Sequence, residues 1–208
     1  MHQIVHFMSK AIILGTGLSA KHYKYQYGDW VLGINDAIKL GHDLDAICFT
    51  DKWKRVISTR PAVLRTPNHV KKFANFGDCN LPNSERVSSK RHTFNGKFSI
   101  DRTPLSHGFS SAIYAICIAC HWGYKKIDVY GVDLINHEIC AEFKSKKIDI
   151  ESVPTLIESG LSFNDWVKKY CLTKAIGELR MLREYLDSKK IKLTFAKKSP
   201  IARIINID

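Results

Sequence analysis

Lys10-Ala11-Ile12-Ile13-Leu14, followed at once by Gly15-Thr16-Gly17-Leu18-Ser19, is the stretch whose reading decides the fold. An apolar run this short, without polar alternation, is the pattern of a strand buried on both faces, as in a parallel sheet. Two glycines and a serine then lead into the polar residues 20–26, so a strand–turn–helix unit is expected. Such a turn aims backbone N–H groups and a helix N-terminus at a ligand. Gly15-x-Gly17 lacks the third glycine of the dinucleotide fingerprint and the lysine of a P-loop.

The same pattern recurs downstream. Residues 30–34 read as a second strand ending at Asn35-Asp36, and residues 46–49 as a third ending at Thr50-Asp51. Small polar groups thus follow three successive strands, and open α/β sheets bind ligands beyond the carboxyl ends of their strands. The competing reading is that these residue types simply favour turns and caps. Residues 112–122 are apolar nearly all round, the mark of a buried helix, with Ser110 or Ser111 as its N-cap. Gly123 ends that helix, and residues 127–130 read as a strand running into Gly131-Val132-Asp133. Residues 145–160 are polar and indistinct, residues 166–188 form a long amphipathic helix, 191–195 a closing strand and 200–205 a short terminal helix. The expected fold is therefore α/β: one Rossmann-like domain over residues 1–208, with a mainly parallel sheet and helices on both faces.

Residues 52–108 break this pattern. They contain Pro61, Pro67, Pro82 and Pro104, and are expected as a basic, loop-rich lid or insertion, with residues 62–64 as a strand and 68–73 as a helical turn. The remainder, 76–106, reads as irregular loop or a small β excursion. The 208-residue chain has a net charge of +12, and residues 52–102 alone hold 12 basic and three acidic residues. That segment interleaves Lys52, Lys54, Arg55, Arg86, Lys90, Arg91, Lys97 and Arg102 with Trp53, Phe73, Phe76, Phe94 and Phe98. Cations that meet phosphates and rings that stack on bases make nucleic acid the expected partner; a solvated lid is the alternative.

Composition excludes several classes. Hydrophobic residues make up 45% and charged residues 25%, which are globular values rather than those of a disordered chain. The six cysteines fall mostly in apolar runs and resemble small core hydrophobes rather than a disulfide framework. Cys117-x-x-Cys120 lies within the apolar helix instead of at an exposed helix start, and no second such pair completes a zinc site, so no metal is expected. No apolar run reaches membrane-span length and residues 1–8 lack the form of a signal peptide, so a cytoplasmic, reducing location is expected. Asp43-Leu44-Asp45 precedes a strand and reads as a solvated turn.

Three blocks carry a family resemblance. They are Ile12-Ile13-Leu14-Gly15-Thr16-Gly17-Leu18-Ser19; Ser110-Ser111-Ala112 through Gly123-Tyr124-Lys125-Lys126-Ile127 to Gly131-Val132-Asp133; and Lys190-Ile191-Lys192-Leu193 to Ser199-Pro200-Ile201-Ala202. In this order they resemble the bacterial sialyltransferases of glycosyltransferase family 42 and related Rossmann-like glycosyltransferases. The resemblance implies an inverting glycosyltransferase that uses a nucleotide-sugar donor and no metal or other cofactor. It places Gly15, Thr16, Gly17, Ser19, Asn35 and Asp51 about the donor nucleotide, Ser110 and Ser111 near its phosphate, and Gly131 and Asp133 at the adjoining strand end. The chain departs from the family at three points. Thr16 stands for the family's asparagine, Ile135 and Ala141 fall near its phosphate-binding tyrosines, and Tyr170 lies near the place of its catalytic histidine. The base that takes the acceptor proton is therefore sought among His137, Asp133, Tyr170 and His107. The favoured acceptor is a hydroxymethylated pyrimidine in DNA. The alternatives are a cell-surface glycan, or a nucleotide- or nucleic-acid-binding protein without catalysis.

Overall fold

The structure, a computed structural model, describes residues 10–91, 97–134, 154 and 156–205. Its strands are β1 (Lys10–Leu14), β2 (Asp29–Ile34), β3 (Ala46–Phe49), β4 (Lys71–Ala74), β5 (Ser84–Arg86), β6 (Ser89–Arg91), β7 (Leu105–His107), β8 (Lys126–Tyr130) and β9 (Lys192–Phe195). Its α-helices are α1 (Trp53–Thr59), α2 (Ser111–His121), α3 (Leu156–Ser159), α4 (Phe163–Ser188) and α5 (Ala202–Ile205).

Seven strands form one sheet in the order β5-β4-β3-β2-β1-β8-β9, and every neighbouring pair is parallel. The chain steps outward from β1 to β5, then returns to lay β8 on the other side of β1. The order therefore reverses between β1 and β8, and that switch point is where a doubly wound sheet opens a crevice. The pleat explains the two cores. Ala11, Ile13, Leu32 and Cys48 face α2 and α4, packing with Ile113, Ile116, Ile176 and Leu179. Ile12, Leu14, Val31 and Ile47 face the other way, against Trp53 and Val56 of α1 and Val63. β1, β2 and β3 are thus apolar on both faces, as the unalternating runs required. α2 is apolar all round because the sheet, β7 and α4 enclose it, and residues 112–120 are all buried. Both cysteines of its C-x-x-C are free and buried, and burial pushes the Cys120 thiol up to about 12.

Several local expectations are corrected. The segment after Gly17 is a single 3-10 stretch, Leu18–His22, and not an α-helix. Residues 62–64 are no strand: they lie in a 3-10 helix, Pro61–Arg65, opened by its proline and burying Val63. Residues 68–73 are not a helical turn, because Lys71–Ala74 is β4, paired in register with β3. Lys72 obscured this strand. Its side chain is buried, yet its ammonium donates to the Pro67 carbonyl at 2.7 Å, and burial lowers its pKa. The stretch 52–108 is loop-rich between its elements, and it also supplies α1, two strands of the main sheet and the parallel pair β6-β7. α4 starts at Phe163 rather than 166, with Ser162 accepting from the Asp165 N–H as its N-cap. Among the described residues no helix is long and apolar enough to cross a membrane.

Candidate functional site

β1 and β8 meet at their carboxyl ends more closely than side chains allow. Gly15 N donates to Tyr130 O, and Gly17 N to Gly131 O, each at 2.8 Å. A Cβ on Gly15 would strike the Gly131 carbonyl, and a Cβ on Gly131 would strike the Gly15 carbonyl. Gly131 also has φ +66, a left-handed conformation that a Cβ disfavours. A Cβ on Gly17 would meet the Asp133 carboxylate at 2.6 Å. The spacing Gly15-x-Gly17 and the distant Gly131 are therefore one steric requirement, met from two strands.

Ser19 and Asp133 clamp this junction. The Ser19 hydroxyl donates to Asp133 Oδ1 at 2.5 Å and accepts from the Gly131 N–H at 2.7 Å, while the Ser19 N–H donates to Asp133 Oδ2 at 2.7 Å. Both carboxylate oxygens accept from Ser19, and both residues are buried. Ser19, expected as a donor contact, thus spends its hydroxyl within the protein. Asp133 lines the cleft, but its carboxylate holds the turn.

Beside the clamp lies a cleft of about 490 Å³ at the switch point. It gathers Gly15, Thr16, Gly17, Asn35, Asp36, Ser110, Ser111, Gly131 and Asp133, which the sequence reading brought to this edge, and adds Arg60 and Phe109, which it did not. Ser110 caps α2 by accepting from the Ala112 N–H at 3.2 Å, so the N-terminus of this helix opens on the cleft. The anion-attracting helix end is therefore that of α2 rather than one following Gly17. The Ser111 and Thr50 hydroxyls lie 3.1 Å apart and tie the end of β3 to α2. Asn35 has φ +52, and its Oδ1 is buried with no hydrogen-bond partner. Such an atom costs stability unless a ligand donor satisfies it. Asp51 does not line the cleft; it accepts from Arg60 at 3.0 Å and holds that guanidinium at the rim. No spacing in the sequence announces Arg60, because α1 has to form before residues 51 and 60 meet.

A second missed residue is Glu178 of α4. Its Oε2 accepts from the Phe109 N–H at 2.7 Å, its Oε1 is buried without a partner, and a Cβ on Gly108 would strike its carboxylate. Burial pushes its pKa up to about 7, against the opposing pull of the Phe109 N–H, Arg91 and Lys174. The group fixes the turn that delivers Phe109 and Ser110 to the cleft.

The remaining base candidates lie elsewhere. His107 faces Ser89 at 2.8 Å in the β6-β7 pair, its pKa lowered by burial and by Arg91. Tyr170 lies along α4 beside Trp166, with the Lys169 ammonium 5.3 Å from its ring centre. Neither lines the cleft. His137 lies outside the described residues. Asp45 of the D-x-D accepts from the Val31 N–H at 2.7 Å and ties β3 to β2. Among the described residues no group of three His, Cys, Asp or Glu is placed to hold a metal ion. The basic residues expected to meet nucleic acid are divided. Lys52, Lys54 and Arg55 start α1 on one side of the sheet, Arg86 ends the edge strand β5, and Lys90, Arg91, Lys97 and Arg102 line a separate cavity.

No protein-family model matches the sequence. No curated protein matches it. Among solved structures, the chain is similar to the sialyltransferase CstII from Campylobacter jejuni, determined in complex with the substrate analogue CMP-3FNeuAc. The TM-score is 0.48 and the identity 15%, over 95% of this chain and 84% of that chain.

Proposed function

We propose that the chain is a glycosyltransferase that moves a sugar from a nucleotide-sugar donor to a hydroxyl acceptor without a divalent metal. The observation that carries this reading is one cleft holding the N-terminus of α2, the Arg60 guanidinium and the unpaired Asn35 Oδ1. Residues of the first two sequence blocks that resemble family 42, Gly15 to Gly17, Ser110 to Ala112 and Gly131 to Asp133, line it. In the reaction the acceptor oxygen bonds to the anomeric carbon as the bond from that carbon to the donor phosphate breaks. Negative charge grows on the departing phosphate. Fixed N–H groups and a guanidinium aimed at that charge stabilise the transition state more than the ground state. Asn35 Oδ1 accepts from the nucleoside, and Asp133 positions the β1–β8 junction. The acceptor proton is assigned to His137, the sequence candidate four residues beyond Asp133. The acceptor we favour is a hydroxymethylated pyrimidine in DNA, on the charge of residues 52–102.

The test is mass gain on hydroxymethylated duplex DNA or on oligosaccharides, with a panel of nucleotide sugars and EDTA present. Gain on DNA in EDTA is expected, and Arg60→Ala should slow it roughly 10²-fold, the scale for one transition-state donor. Gain on oligosaccharide alone would transfer the acceptor to glycan. Donor binding without any gain would make the protein a nucleotide-binding one.

A further inference from the structure

On the α2 side of the sheet, away from the donor cleft, a second cavity of about 730 Å³ is lined by Lys90, Arg91, Lys97, Arg102 and Lys189, with Asp101 the acid among its lining residues. Its wall is pinned in place. Ser99 N donates to Ser106 Oγ at 2.8 Å and Ser106 N donates to Ser99 O at 2.9 Å, fastening the 97–102 segment to β7. Ser99 Oγ donates to Arg102 O at 2.8 Å, and Phe98 packs on Tyr185 of α4 below the charges. Five cations from β6, the 97–102 segment and the end of α4 outnumber the one lining acid, Asp101, and this excess of positive charge draws an anion into the cavity. Phe98 is buried and Tyr185 is half-buried against it, so the cavity offers mainly charge, which suits a backbone more than bases. One contact links the two sites. The Arg91 guanidinium lies 3.9 Å from the centre of the Phe109 ring, and Phe109 lines that cleft.

We infer that this groove, and not the basic surface of α1, is where a nucleic-acid phosphodiester backbone binds, with Arg91 at the passage toward the donor cleft. Only the purpose of the bound strand rests on the glycosyl-transfer reading; the binding does not. Arg91 then meets phosphate on one side and Phe109 on the other. The groove cations were legible in the sequence as part of a basic run, but Lys189 was not, since it joins them only when α4 packs.

The experiment is fluorescence anisotropy with a labelled duplex oligonucleotide that carries no hydroxymethyl group, in the absence of donor. Lys90→Glu/Arg102→Glu should weaken binding at least about tenfold and reduce the slope of log affinity against log salt by about 2. Lys54→Glu/Arg55→Glu, the same charge change on α1, should alter affinity by less than about threefold. Lys21→Glu/Lys24→Glu, on exposed residues elsewhere, controls for net charge. No binding by the natural protein, equal loss from the α1 and groove pairs, or full displacement by inorganic pyrophosphate would each overturn the inference. Groove-dependent binding without transfer to any acceptor would uphold it while removing the glycosyl-transfer reading. Transfer to DNA that is indifferent to the groove charges would do the reverse.

Discussion

Gly131→Ala is expected to cost at least about 4 kcal/mol, a large share of the about 5–15 kcal/mol that stabilises a domain. Two effects add. Gly131 has φ +66, where an L side chain costs about 1–2 kcal/mol. The new Cβ also strikes the Gly15 carbonyl, which belongs to backbone and cannot rotate away, and lies 2.8 Å from the Ala20 Cβ. Relief requires β1 and β8 to separate, which breaks the Gly15 N to Tyr130 O and Gly17 N to Gly131 O bonds together. Gly41→Ala is the matched control, since Gly41 has φ +70 but open space around its Cβ position. It should show only the conformational cost of about 1–2 kcal/mol. Urea unfolding of the two variants checks this, and equal destabilisation would remove the close-approach account of the junction.

Glu178→Gln is expected to change the shape of the stability–pH curve. The folded carboxyl titrates at about 7, while the ordinary value is 4.5, so the folded state holds a proton that the unfolded chain has already released. Stability from this group is therefore full below about 4.5, falls as pH rises toward about 7, and stays low above it. The shift corresponds to a loss on the order of 3 kcal/mol at alkaline pH. Glutamine keeps an oxygen to accept from Phe109 N and cannot ionise. The variant should match the natural protein near pH 4.5 and exceed it increasingly toward pH 8. Parallel curves for the two proteins would show that burial of Glu178 does not govern this titration.

The legible parts of the fold were those written in apolar runs. β1, β2, β3 and α2 bury continuous stretches, as a parallel sheet covered on both faces needs, while β8 and β9 alternate, burying Ile127 and Val129, and Leu193 and Phe195. β4 was hidden because Lys71 and Lys72 look solvated. One of them is instead buried against a carbonyl, and the other reaches Glu85. β5 is wholly exposed at the sheet edge and so carries no apolar signal. α1 buries only Trp53 and Val56, too little pattern in seven residues to announce a helix. The same logic divides the site. Its glycines, Asn35 and Ser110 stand at strand and helix ends, where sequence reading looks for them. Arg60 and Glu178 do not, because their partners Asp51 and Phe109 are brought to them by folding across 9 and 69 residues. Ser19, expected as a donor contact, has its hydroxyl shared between Gly131 and Asp133, an arrangement that only the fold brings about.

The central claim is that the β1–β8 switch point is the donor site. Amide hydrogen exchange with and without a nucleotide-sugar panel, in EDTA, tests it most directly. A bound donor should slow exchange at residues 15–17, 34–36, 109–112 and 131–134 together, and Arg60→Ala should weaken that protection. Protection confined to the basic groove, or none at the switch point with any donor, would contradict the account.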